Sequence, residues 1–135
     1  MSWKGDEIPI TAESIIAFGK EYDPQWLHLD ATAAEQGPFG GLIASGWQIA
    51  SLAMRQFVEA RPFGSSPLIG LGVDELRWRK PVRPGDVLQM RGEVVELAPF
   101  RSKTDRGIVR WRIDAVNQTG AIVMSFVANT LLPRR

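Results

Sequence analysis

Cysteine is absent from this chain, and histidine occurs once, as His28. The first absence excludes disulfides, thiolate nucleophiles and Cys-ligated zinc. The second leaves too few imidazoles for a His-rich metal site within one subunit, and no metal is expected. A marked charge of either sign is also missing. Lys and Arg number 16 against 15 Asp and Glu, a formal +1, so the broad basic footprint of a nucleic-acid binder is not expected. No apolar run approaches the ~18 residues of a membrane span. The opening "MSWKGDEIPI" has neither the apolar core of a secretory signal nor the Arg- and Ser-rich, acid-poor character of a transit peptide. These absences point to a soluble cytoplasmic protein. Without repeats, low-complexity tracts or linkers, residues 1–135 read as a single domain. A chain of this length buries roughly two-thirds of the surface it exposes unfolded, so its core needs no covalent or metal staple.

What is present divides into two halves. Thr11 is a plausible N-cap with Glu13 in the first turn, and Ile15, Ile16, Phe18 and Gly19 follow at loose helical spacing. Pro24 disfavours helix at Asp23 and should end that element. "DATAAEQ" reads as a short helix capped by Asp30, and "GPFGGL" as a loop. From Ser45 to Ala60 the apolar positions Ile49, Leu52, Ala53 and Phe57 fall at steps of three and four, predicting a buried helix. The second half alternates like strands. Leu76 and Trp78 face away from Arg77 and Arg79, and "PVRPGD" turns the chain. Leu88, Met90, Gly92 and Val94 alternate until a phase change at Val95 and Leu97 that predicts a bulge. "GIVRWRIDAV" is the clearest strand, and "AIVMSFVANTLL" is expected in the sheet centre. Helices first and antiparallel strands last give class α+β, a sheet wrapped around one long helix.

Two stretches can carry chemistry. In "YDPQWLHLD", Asp23 and His28 lie five residues apart around a proline-containing turn and can converge on one water as a general acid and base. Equally, Asp23 could cap a turn with His28 on its surface. In "GGLIASGW", a glycine-containing approach leads to the start of the long helix, where unpaired N–H groups and the positive dipole end could form an oxyanion hole. Ser45 could simply N-cap that helix, and no nucleophile elbow surrounds it. Asp74 and Glu75 could be paired acids, though a strand edge or bulge accounts for them.

Together these stretches resemble the MaoC-like hydratases and dehydratases, a hot-dog-fold family that includes the (R)-specific enoyl-CoA hydratases. The family's signature is a D-x-N-P-x-H-x-D segment followed by a glycine-rich A-H-G helix start. "DPQWLHLD" supplies Asp23, His28 and Asp30, "LIASGW" supplies Gly46, and "KPVRPGD" matches the family's P-V-x-x-G-D turn. Gln25, Trp26 and Ser45 replace the family's usual Asn, Pro and His. The resemblance implies a hot-dog fold, a curved antiparallel sheet around the Ser45–Ala60 helix, assembled as a homodimer or higher homo-oligomer. It implies reversible hydration of a 2-enoyl thioester carried by coenzyme A or acyl carrier protein, with no metal or redox cofactor. Asp23, His28 and the Gly46 N–H are the implied catalytic groups, with Gln25 and Asp30 supporting them. Trp26, Ser45, Trp47, Leu52 and Met54 are expected around the substrate, Leu52 and Met54 lining an acyl tunnel between subunits. A hot-dog thioesterase and a non-catalytic acyl-thioester binding module are the alternatives.

Overall fold

The computed structural model describes residues 1–100 and 103–133, and the side chains among them other than those of 99, 100 and 103–106. Helix α1 (Ala12–Tyr22) begins at Thr11, whose hydroxyl accepts from the Ser14 N–H at 3.1 Å, and it ends at Asp23, directly before Pro24. A single helical turn, α2 (Trp26–Leu29), follows where the sequence predicts a turn, and α3 (Ala31–Glu35) is capped by Asp30 through the Ala33 N–H. The long helix α4 (Gly46–Glu59) starts at Ser45, whose hydroxyl accepts the Trp47 N–H.

Two short strands, β1 (Ser2–Lys4) and β2 (Ile8–Pro9), precede α1, where sequence periodicity is too short to announce them. After α4 come β3 (Gly70–Trp78), β4 (Val87–Phe100), β5 (Lys103–Val116) and β6 (Ile122–Leu131). The sheet is antiparallel in the order β1-β4-β5-β6-β3, with β2 also paired to β4. Strand β6 is therefore interior, but β5 holds the centre that the sequence reading assigned to β6. Both bulges read from the sequence occur, as register shifts between Val94 and Glu96 and between Asp74 and Arg77. At the second, Glu75 has φ +54°, and Asp74 is held by Asn129 and Arg110, so these acids belong to a bulge.

The core lies between α4 and the concave face of the sheet. Ile49, Ala53 and Phe57 repeat every four residues on α4 and are essentially sealed from solvent. They meet Leu88, Met90, Trp111, Ile113 and Met124 from three strands. Phe57 packs edge-on to Trp111 at 5.1 Å and flat against Trp3 at 5.3 Å. The buried Trp111 N–H donates to Thr130 Oγ1 at 3.1 Å, which removes the penalty of an unpaired indole donor. The sheet thus grips the helix along its length and fixes where its N-terminus points.

Candidate active site

The site forms where the turn after α1 meets the start of α4. Gly19 allows the approach: a Cβ there would stand 3.0 Å from His28 Cβ and 3.1 Å from the His28 carbonyl. Helix α2 then turns His28 inward, leaving it 6% exposed. Its Nδ1 lies 2.7 Å from the Ile43 carbonyl oxygen, which can only accept, so Nδ1 carries a proton. The Ile43 N–H in turn donates to the Leu27 carbonyl at 3.2 Å, clamping the segment on both sides. With Nδ1 committed, Nε2 is the nitrogen free for chemistry, and it faces Asp23 Oδ2 at 3.2 Å.

Both oxygens of Asp23 are occupied. Gln25 Nε2 donates to Oδ1 at 2.6 Å, and the fully buried Ser45 hydroxyl donates to Oδ2 at 2.7 Å. These two donors, Gln25 foremost, hold the Asp23 carboxyl below the usual carboxylate range, with a smaller contribution from His28. The sign of the resulting pH effect follows. A group whose pKa is depressed on folding adds stability above its unfolded value and loses it as pH falls through the folded value. Urea unfolding of wild type and Asp23→Asn should therefore differ by a constant amount above the ordinary carboxylate range. Below it the difference should shrink; a pH-independent difference would show that the ionised carboxyl is not what these contacts stabilise.

A cavity of about 270 Å³ opens beside the pair, lined by His28, Phe39, Gly46, Ile49, Trp78 and Met124 among others, with Arg79 and Lys80 also on its wall. Gly46 is the first residue of α4, and its N–H has no hydrogen-bond partner among the described residues. The Trp78 indole lies so close to Gly46 that a Cβ there would fall within its van der Waals shell. Trp78 is itself met edge-on by Trp47 at 5.2 Å.

Of the residues singled out in the sequence, the structure brings together Asp23, His28, Gln25, Ser45 and Gly46. Asp30 caps α3 and so fixes the end of the His28 segment without touching the pair. The other candidates lie off this cluster in the single chain. Trp26 does not line the cavity: its ring is half exposed and packs over Gly37. The Trp47 ring meets the site through Trp78 and borders a surface depression with Phe18 and Tyr22, while its backbone N–H donates to the Ser45 hydroxyl. Met54 borders a separate cavity of about 190 Å³ with Phe57 and Val73, while Leu52 packs partly buried against the core. Sequence reasoning did not find Phe39, Trp78 or the Ile43 carbonyl. Phe39 lies within "GPFGGL", read as a loop, and Trp78 in the alternation with Arg77 and Arg79, read as a strand.

Comparison with known proteins identifies the family and the fold. The family model "MaoC like domain" matches residues 2–117. A crystal structure of a MaoC-like dehydratase from Rhodospirillum rubrum superposes with a TM-score of 0.93 at 38% identity, covering 100% of this chain and 92% of that one. The unliganded R-hydratase PhaJ1 from Pseudomonas aeruginosa superposes with a TM-score of 0.78 at 26% identity, covering 100% of this chain and 81% of that one. The uncharacterised protein YdeM of Bacillus subtilis is 29% identical over 132 residues, 98% of this chain and 92% of its own length. With the family model spanning most of the sequence and the hot-dog architecture shared from end to end, the chain belongs to the MaoC-like hydratase and dehydratase family.

Proposed function

We propose that the protein catalyses reversible addition of water to a 2-enoyl thioester, giving the (R)-3-hydroxyacyl thioester, with coenzyme A or acyl carrier protein as carrier. The observation that carries this reading is the buried His28 Nε2 facing Asp23 beside a cavity that is also lined by Gly46, whose helix-start N–H has no partner among the described residues. Asp23 and His28 hold and activate the water that adds at C3, and C2 is protonated from the same pair. As the C3–O bond forms, electrons shift onto the thioester oxygen, where the Gly46 N–H and the positive end of α4 stabilise the charge. Arg79 and Lys80 on the cavity wall are the cations that would meet the phosphates of a carrier.

The active form is a homodimer. Strand β3 is an edge strand in this chain, paired only with β6 among the described residues, and Leu71 and Val73 along it, with Ile69 directly before it, are about half exposed. Edge-to-edge pairing of two copies would cover it. The test of the activity is loss of the conjugated enoyl absorbance when crotonyl-CoA is added, with 3-hydroxybutyryl-CoA as product. Release of free coenzyme A thiol instead would mark a thioesterase, and saturable binding without turnover a binding module.

A further inference from the structure

Ser45 has a second hydrogen bond that a helix cap does not require. Its hydroxyl accepts the Trp47 N–H at 3.3 Å, which is the capping contact, and donates its own proton to Asp23 Oδ2 at 2.7 Å. That oxygen is the one facing His28 Nε2 at 3.2 Å. The side chain is entirely buried, so no solvent competes for the donor. Gln25, by contrast, holds the other oxygen from an exposed position. The groups facing Asp23 are therefore His28 from α2, Gln25 from the preceding turn and Ser45 from the start of α4. Arg79 and Lys80 add positive charge on the cavity wall.

We propose that Ser45 is a positioning residue for the acid–base pair: it fixes Asp23 as the carboxylate, so that the transferable proton is carried by His28 Nε2 alone. This rests on the hydratase reading. In the hydration direction His28 Nε2 takes the proton from water as the C3–O bond forms, and the electron pair of the double bond moves onto the thioester oxygen. When that charge returns, C2 takes the proton back from Nε2 and the imidazole is neutral again. Asp23 remains ionised throughout, steadying the transient imidazolium, while Nδ1–H stays on the Ile43 carbonyl. A carboxylate with both oxygens already accepting from strong donors is a weak base, which leaves the proton transfer to the neighbouring imidazole.

Capping and tethering separate by substitution. Glycine is a good N-cap and alanine is a poor one, yet both lack the hydroxyl. Ser45→Gly and Ser45→Ala should both lose kcat by about ten- to a hundred-fold, with KM changed less than about three-fold, although Ser45→Ala unfolds at a lower temperature. A Ser45→Gly variant with wild-type kcat would overturn the proposal and leave Ser45 a cap. A second readout needs no substrate. The carboxyl carbon of Asp23, identified by its loss in Asp23→Asn, should titrate at higher pH in Ser45→Gly than in wild type. Unchanged titration would also overturn the proposal. If wild type fails to hydrate crotonyl-CoA while the titration moves as expected, the hydratase reading fails and the tether stands.

Discussion

Replacing His28 with asparagine is expected to lower kcat/KM for crotonyl-CoA by about 10²- to 10⁴-fold while leaving the fold in place. Asparagine is the informative substitution because its amide nitrogen can stand near the position of Nδ1 and keep donating to the Ile43 carbonyl. It removes only what lies beyond, the Nε2 that faces Asp23. Alanine would also strand a buried carbonyl, which costs about 1–3 kcal/mol, and would confuse loss of stability with loss of chemistry. The chain has a single histidine, so no second imidazole can substitute for it. Asp23→Asn should also be severely impaired, since the imidazolium formed during turnover would lose its counter-charge. Because the two act as a unit, the double variant should be little worse than either single one. Wild-type turnover in His28→Asn would remove the pair from the mechanism altogether.

The same helical geometry explains what could and could not be read in the sequence. Asp23, His28, Ser45 and Gly46 were legible because each sits beside a local signal: a proline, a short polar motif, a cap and a helix start. Their convergence was not derivable from spacing; the resemblance suggested it. The segment around Trp26 was read as a turn, whereas it is one turn of helix. Two residues apart on a helix are about 200° apart around its axis, so turning His28 inward sends Trp26 outward. Met54 stands outside the buried stripe of its helix for a related reason. It lies one residue after Ala53, about 100° from the centre of the buried stripe of Ile49, Ala53 and Phe57, and emerges at the helix flank. Phe39 and Trp78 were invisible for another cause: each joins the cavity through contacts between elements distant in sequence. The exchange of β5 and β6 at the sheet centre has a simple basis too. The apolar run of β6 reports burial on both faces, and an interior strand beside the centre satisfies that as well as the central one does.

Gly46 offers the sharpest test of the oxyanion site, because alanine there changes neither the N–H nor the backbone demand. Gly46 is absent from the positive-φ glycines, and alanine is the better helix former, so the helix itself should tolerate or prefer the change. The obstacle is the added Cβ, which would overlap the Trp78 indole at Cδ2, Nε1 and Cε2. Trp78 is about half exposed and can move, but moving it reshapes the cavity wall beside the N–H proposed to receive the thioester oxygen. A misplacement of about 1 Å at a reacting centre costs on the order of 10²-fold, so Gly46→Ala should lose about that much kcat/KM. The cause can be separated by a double-mutant cycle. In a Trp78→Ala background the Cβ has room, and adding Gly46→Ala should cost less than about three-fold further and no thermal stability. An equal loss in both backgrounds would mean that the methyl group blocks the substrate directly, and that the indole is not what demands glycine at this helix start.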